Sequence, residues 1–283
     1  MKKYNFCDLP KEYSNYADAK IVILPAPFDA TSTWIKGADK GPDAILEASA
    51  NMETYDIETD SEVYMQGIFT DKPIKEKKSP EKMVKELKAR TLKHIQNKKY
   101  VVTLGGEHSI SAASIAAHVE SFKDVSVIQF DAHADLREEY HGTKFNHACV
   151  MARAREIAPI VQVGIRSGAV EEAKAMKQKN VFLAADIYNN NRWFNKCLGM
   201  LNKNVYLTID LDAFDPSILP STGTPEPGGL GWYQVIDFLR LLMTKRNVVG
   251  FDIVELCPNP QNKGSNFLTA KLIYKLLSYR FCM

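Results

Sequence analysis

The chain has 283 residues, of which 45% are hydrophobic and 25% are charged, and its formal net charge at pH 7 is +2. These values are ordinary for a globular protein and exclude a disordered or fibrous chain. A net charge this small favours neither nucleic acid nor an anionic membrane surface as a partner. The sequence has no apolar run of the roughly 20 residues that span a bilayer, no secretion signal at its start, and five scattered cysteines. We therefore expect a cytoplasmic protein without a membrane segment.

Short apolar runs alternate with longer amphipathic stretches along the chain. Such runs are typical of strands covered on both faces, and the alternation predicts βαβ units and a mainly parallel sheet. In chain order the predicted elements are strand 20–24, helix 81–96, strand 100–104, helix 110–120, strands 125–130 and 160–163, helix 170–178, strands 181–184 and 205–209, helix 233–243, strand 248–254 and helix 267–277. No linker or repeat interrupts them, so we expect one α/β domain over residues 1–283.

Residues 72–99 carry a local excess of positive charge, with eleven lysines and arginines against three glutamates. Met83, Leu87 and Thr91 lie at helical spacing in this segment, which predicts that the basic side chains occupy the opposite, solvated face. A polyanion-binding patch is the alternative. No aromatic residues are interleaved with the lysines to form a nucleic-acid platform.

Three predicted strands run directly into acidic and imidazole side chains. These are His108 after strand 100–104, Asp131, His133 and Asp135 after strand 125–130, and Asp210 and Asp212 after strand 205–209. Because ligands bind beyond the carboxyl ends of parallel strands, the six side chains are expected at one edge of the sheet. Four carboxylates and two imidazoles without a thiolate suit divalent ions such as Mn²⁺. Six ligands are too many for one catalytic ion and favour two ions that activate a water molecule.

Seven segments carry a resemblance to a known family. They are residues 31–34 (TSTW), 37–42 (GADKGP), 105–109 (GGEHS), 131–135 (DAHAD), 208–216 (TIDLDAFDP), 222–229 (TGTPEPGG) and 251–255 (FDIVE). With these motifs the chain resembles the ureohydrolases, the arginase and agmatinase family of binuclear manganese enzymes. The resemblance implies that the six side chains are the ligands of two Mn²⁺ ions, with Co²⁺ or Fe²⁺ as alternatives. It also implies a three-layer α/β/α fold of the arginase type and a homo-oligomer, either trimer or hexamer.

Further residues complete the chemistry that the resemblance implies. His147 falls where the family places a histidine that passes protons to the leaving amine, and His141 competes with it for this role. Glu255 matches the family's guanidinium-binding glutamate, and Asp135 helps to hold the tetrahedral intermediate. Four aspartates neutralise two divalent cations, so hydroxide and Glu255 leave the pocket negative. Such a pocket suits a small cationic guanidino substrate.

The expected substrate is agmatine, which hydrolysis converts to putrescine and urea. The run 222–229 is typical of agmatinases, and Arg137 stands where arginases place an asparagine that holds the substrate carboxylate. Guanidinobutyrate, guanidinopropionate, arginine and formiminoglutamate are alternatives, because related enzymes share the core motifs. Arg166 is a candidate partner for an acidic substrate, and a structural ion pair is its other interpretation. Asp215 precedes a proline and is interpreted as a turn residue.

Two other classes of protein remain as alternatives. A two-metal phosphoesterase uses a similar set of aspartates and histidines. Its anionic substrate requires basic residues near the site, where this chain has Glu255. A relative that keeps the fold without activity is the second alternative, and it is disfavoured because none of the six ligand positions has been replaced.

Overall fold

The computed structural model describes residues 5–176 and 178–283, and the strands within them form one eight-stranded sheet. The strands are β1 (Ile21–Ala26), β2 (Ile68–Thr70), β3 (Tyr100–Gly105), β4 (Val125–Phe130), β5 (Ile160–Ile165), β6 (Val181–Leu183), β7 (Asn204–Asp210) and β8 (Asn247–Val254). Their spatial order is β2-β1-β3-β8-β7-β4-β5-β6, and each neighbouring pair is parallel. The predicted parallel sheet is confirmed.

Helices cover both faces of this sheet. They are α1 (Lys11–Ser14), α2 (Gly41–Ser49), α3 (Pro80–Gln96), α4 (Ser111–Ser121), α5 (Val150–Arg155), α6 (Val170–Ala175), α7 (Ala184–Ile187), α8 (Trp193–Gly199), α9 (Trp232–Lys245) and α10 (Gly264–Phe281). Ile23 and Val102 face an apolar core shared with α2, α9 and α10. Their chain neighbours Leu24 and Val101 face a second core shared with α3 and α4. Successive strand residues thus enter opposite cores, which gives three layers.

The structure differs from the sequence prediction mainly in short elements. β2 has only three residues, too few to show an alternating pattern. The helices α1, α2, α5, α7 and α8 also have no predicted counterpart, and each is nine residues or shorter. The predicted helix 170–178 ends at Ala175, and residue 177 lies outside the described residues.

α3 accounts for the basic segment. It buries Met83, Leu87 and Thr91, while Lys82 and Lys85 are exposed on its other face. The basic side chains therefore lie on a solvated surface, as expected. Within the described parts of the chain, no helix has both the length and the apolar character that a bilayer crossing requires.

Candidate active site

The predicted metal ligands lie at the carboxyl ends of central strands. β3, β8, β7 and β4 are consecutive in the sheet. β3 leads to His108, β4 leads to Asp131, and β7 ends at Asp210. A 3-10 turn directly after β7 carries Asp212. The crossover connections place strands that are distant in sequence side by side, so the three motifs meet at one edge.

The first group of side chains surrounds His108. Its Nδ1 atom lies 3.1 Å from Oδ2 of Asp131 and 3.1 Å from Oδ2 of Asp135. Oδ2 of Asp210 lies 3.4 Å from the same nitrogen. All four side chains are buried. One imidazole nitrogen and three carboxylate oxygens therefore converge on one small volume.

The second group surrounds His133. Its Nδ1 atom lies 2.9 Å from Oδ2 of Asp212 and 3.6 Å from Oδ1 of Asp131. The possible ligand atoms of Asp131, His133 and Asp212 all lie within 4.8 Å of one another, as do those of His108, Asp131 and Asp135. Because the two oxygens of Asp131 face different histidines, its carboxylate can bridge two cations.

Backbone amides fix the aspartates in place. Oδ1 of Asp210 accepts the N–H of Asp212 at 2.9 Å, and Oδ1 of Asp212 accepts the N–H of Ala132 at 3.0 Å. Oδ1 of Asp131 accepts the N–H of His133 at 2.5 Å. The segments after β4 and β7 thus hold one another, and each carboxylate keeps its other oxygen toward a histidine.

Burial and mutual repulsion strongly affect the ionisation of this cluster. Burial, together with the charge of Asp131, raises the pKa of Asp135 to about 7. Burial and the neighbouring Asp212 raise the pKa of Asp210 well above its ordinary value. Burial opposes protonation of His133, but hydrogen bonds to Asp131 and Asp212 outweigh it and raise its pKa to about 12. The cluster therefore favours bound positive charge, and its oxygen and imidazole donors fit divalent cations such as Mn²⁺.

A buried hydrogen-bonded chain lies behind His108. We call it the strand assembly, and it consists of His108, Thr208, Asp252 and Tyr206. Nε2 of His108 lies 2.9 Å from the Thr208 hydroxyl, which donates to Oδ1 of Asp252 at 2.7 Å. Tyr206 donates to the other Asp252 oxygen at 2.7 Å. Since the Thr208 proton goes to Asp252, its oxygen accepts from His108, and Nδ1 is left free to act as a ligand atom.

The surroundings of Nδ1 of His108 test whether this cluster of donors suits a metal ion. It is buried, and although two carboxylate oxygens lie 3.1 Å away, it makes no hydrogen bond with any of the described residues. A buried imidazole nitrogen without a hydrogen bond is rare unless a metal ion or water satisfies it. The surrounding carboxylates make a cation the suitable partner.

A cavity of about 410 Å³ opens above the cluster, and Glu255 and His147 line it. Oε1 of Glu255 accepts the backbone N–H of His108 at 2.7 Å. Burial lowers the pKa of His147, and with the added effect of the charges of His108 and His133 it reaches about 4. His141 is exposed and is not among the described residues that line the cavity. The geometry therefore favours His147 over His141.

Asp135 and Glu255 share a backbone conformation that is uncommon outside glycine. Their φ angles are +53° and +65°, and strain of this kind costs about 1–3 kcal/mol. The carbonyl of Asp135 accepts the N–H groups of Met151 and Ala152 at 3.0 and 3.2 Å, and the N–H of Glu255 donates to the carbonyl of Gly106 at 2.8 Å. These contacts hold both carboxylates at the floor of the cavity.

Arg166 has a structural role, but the prediction that it forms an ion pair is wrong. Its guanidinium donates to backbone carbonyls, including those of Asp212 at 2.6 Å and Glu226 at 2.8 Å. It thereby joins the segment 222–229 to the loop after β7. Asp215 shapes the turn as expected, because its Oδ1 accepts the N–H of Ser217 at 3.0 Å.

Thr208, Asp252 and Gln129 also contribute to the site, although their spacing in the sequence predicted no role for them. Nε2 of Gln129 donates to Oδ2 of Asp131 at 2.6 Å and so orients a predicted ligand. Asp252 left a usable signal, since it is a charged residue inside the apolar run of β8. Aspartate is almost never fully buried unless it is paired.

Comparison with known proteins agrees with this site. Residues 19–278 match the sequence profile of the arginase family. The chain belongs to the arginase family. It is 39% identical to an N(1)-aminopropylagmatine ureohydrolase of Synechocystis sp. over 97% of this chain and 95% of that protein. It is 34% identical to an agmatinase of Pyrococcus horikoshii over 97% of this chain and 96% of that protein.

A solved structure extends this likeness to the fold. The agmatine ureohydrolase of Thermoplasma volcanium superposes with a TM-score of 0.87 at 32% identity, covering 94% of this chain and 92% of that one. These similarities confirm the arginase-type fold and the agmatinase-like branch of the ureohydrolases. Membership of the arginase family and the clustered donors together support a divalent metal at this site.

Proposed function

We propose that this ureohydrolase cleaves the guanidino group of agmatine and releases putrescine and urea. The observation that carries the proposal is the position of Glu255 beside a six-residue cluster in which Asp131 faces both histidines. Two Mn²⁺ ions would be held by His108, Asp131, His133, Asp135, Asp210 and Asp212. When bound, the ions would supply Lewis acidity and lower the pKa of water.

The chain's own residues bind the substrate and manage its protons. The carboxylate of Glu255 pairs with the planar guanidinium, whose parallel N–H donors match two carboxylate oxygens. Asp135, on the floor of the cavity, holds the tetrahedral intermediate through a hydrogen bond. His147 supplies the proton that the leaving amine needs to depart as putrescine.

The mouth of the cavity supports a cationic tail on the substrate. Arg137 lines it, but Glu171 and Glu172 each lie 3.6 Å from the Arg137 guanidinium. Two glutamates against one arginine leave a net negative charge. Trp34, which is 76% exposed, offers an aromatic face to an ammonium group at the same mouth. The acidic guanidino substrates are disfavoured, because Arg166 is committed to backbone carbonyls.

N(1)-aminopropylagmatine is a second candidate substrate. The Synechocystis relative, which is 39% identical to this chain, is named as a ureohydrolase of this compound. This longer molecule has one more ammonium group than agmatine, and the negative mouth of the cavity suits it as well. The two candidates share the guanidinium end and differ only in what the mouth must accept.

A urea-release panel on Mn²⁺-loaded protein tests the proposal. We expect agmatine or N(1)-aminopropylagmatine to exceed arginine and guanidinobutyrate by at least ~10-fold in kcat/KM. Guanidinobutyrate well ahead of agmatine would overturn the substrate assignment. Hydrolysis of p-nitrophenyl phosphate would favour a phosphoesterase instead. Metal analysis after Mn²⁺ loading that finds less than about one ion per chain would favour an inactive relative.

A further inference from the structure

A second hydrogen-bonded chain lies beside the cavity. We call it the loop assembly, and it consists of Thr31, Glu107 and His147. The Thr31 hydroxyl oxygen lies 3.2 Å from Nδ1 of His147 and 3.1 Å from the backbone nitrogen of His147. The same oxygen lies 2.8 and 2.7 Å from the two carboxylate oxygens of Glu107. One hydroxyl thus joins His147 to a fully buried carboxylate.

The hydrogen-bonding capacity of Thr31 decides which atom donates. A hydroxyl has one proton to donate and two lone pairs that accept. Glu107 also accepts the N–H of Thr31 at 2.8 Å and the hydroxyl of Ser109 at 2.6 Å, so its carboxylate is the common acceptor. The Thr31 proton therefore goes to Glu107. Both lone pairs of Thr31 are then available to the backbone N–H and the Nδ1–H of His147.

A close backbone contact makes the loop assembly possible. The N–H of Glu107 donates to the carbonyl of Phe28 at 2.8 Å. A Cβ atom on Gly106 would lie 2.0 Å from that carbonyl oxygen, so a side chain there would push the two segments apart. The glycine next to Glu107 thus brings the loop that contains Thr31 against the end of β3.

We propose that Thr31 and Glu107 are positioning residues that hold His147 with its proton on Nδ1 and present Nε2 to the cavity. This inference rests on the proposed role of His147 in the hydrolysis. Nε2 accepts the proton that the attacking water releases, and the imidazolium returns the same proton to the leaving amine. The ring ends neutral, with Nδ1 still donating to Thr31.

Histidine ring ¹⁵N chemical shifts test the tautomer without any turnover. The measurement uses protein with ¹⁵N-labelled histidine, loaded with Zn²⁺ because that cation is diamagnetic. We expect the signal that is absent from His147→Asn to show the Nδ1–H tautomer. Thr31→Val should give the Nε2–H tautomer or a mixture, and Thr31→Ser should restore Nδ1–H. A wild-type protein with its proton on Nε2 would overturn the proposal.

Kinetics supply the second test. We expect Thr31→Val to lower kcat about 10–100-fold, with KM and bound metal changed by less than about twofold. Thr31→Ser should recover most of the lost kcat. The matched control is Thr143→Val, since the Thr143 hydroxyl donates to the exposed Glu81. An unchanged kcat in Thr31→Val, or no recovery in Thr31→Ser, would contradict the proposal. If the wild type releases no urea, the proposed hydrolysis is wrong. The tautomer measurement then still decides whether Thr31 and Glu107 position His147.

Discussion

The strand assembly and the loop assembly use the same three parts with opposite outcomes. In each, a threonine hydroxyl lies between a histidine and a buried carboxylate. Thr208 contacts Nε2 of His108, so Nδ1 faces the aspartates. Thr31 contacts Nδ1 of His147, so Nε2 is left for proton exchange. In our proposal, the ring nitrogen that the threonine contacts decides the role of each histidine. His108 is left with Nδ1 to bind a metal ion, and His147 is left with Nε2 to carry a proton.

The two assemblies also differ in what supports them. Thr208 and Asp252 are register partners on β7 and β8, and both are fully buried. Thr31 and His147 are 116 residues apart and only partly buried. One assembly belongs to the rigid sheet, and the other joins loops. We expect the strand assembly to control metal affinity and the loop assembly to control turnover.

The largest expected effect is that of Asp131→Asn, because Asp131 faces both histidines of the cluster. Its amide lacks the charge that two cations require. We expect urea release to fall at least ~1000-fold and bound metal to fall below about one ion per chain. Asp186→Asn, on the exposed surface, is the control. A fully active Asp131→Asn protein would contradict the proposal that the metal ions bind at the carboxyl ends of the strands.

Glu255→Gln separates substrate binding from metal binding. The amide keeps an acceptor for the N–H of His108 but loses the charge that faces the guanidinium. We expect kcat/KM for agmatine to fall roughly 10–100-fold, corresponding to about 1.5–3 kcal/mol for a hydrogen bond to a charged group. Metal content measured on the same sample should stay unchanged. Loss of metal would instead assign Glu255 to the metal cluster.

Thr208→Val is the counterpart of Thr31→Val. Removing the hydroxyl leaves the His108 ring without its orienting partner. We expect metal affinity, measured by chelator competition, to fall about 10–100-fold, and kcat at saturating metal to stay close to wild type. Thr31→Val should show the reverse pattern. If both variants change the same parameter, the two assemblies do not divide metal binding from turnover.

The smallest expected effect concerns His118, whose ring lies 4.6 Å from that of Tyr206 but belongs to neither assembly. Burial lowers its pKa from 6.5 to about 4. Between these pH values the unfolded chain binds the proton and the folded chain does not. The free energy of unfolding should therefore fall by up to about 1.4 kcal/mol per pH unit as the pH drops through this range. Denaturant titrations at several pH values should show a weaker dependence of the free energy of unfolding on pH in His118→Gln than in the wild type. An unchanged pH dependence would contradict the assignment of this effect to His118.

The metal cluster could be predicted because its residues directly follow long apolar strands. Parallel strands bring their carboxyl ends together whatever the order of the strands, so the sheet order was not needed. Thr208 and Asp252 lay inside recognised motifs, but their pairing depends on the register of β7 against β8. Register between strands that are distant in sequence cannot be counted from spacing.

The loop assembly could not be predicted for a different reason. Thr31 meets His147 only because Gly106 lets the Phe28 backbone approach, and no periodic pattern marks such a contact. Similarly, spacing cannot show that Arg166 donates to carbonyls rather than to a carboxylate. The trimeric or hexameric assembly and the cytoplasmic location stay predictions.

The central place of β8 has a consequence for biosynthesis. β8 lies between β3 and β7, so without it the sheet would separate into the halves β2-β1-β3 and β7-β4-β5-β6. A nascent polypeptide that has emerged from the ribosome as far as residue 246 can therefore pair β7 with β4 and join the five aspartate and histidine donors that follow these strands, but His108 stays on the other half of the sheet. All six donors therefore come together only when β8 inserts between the two halves of the sheet.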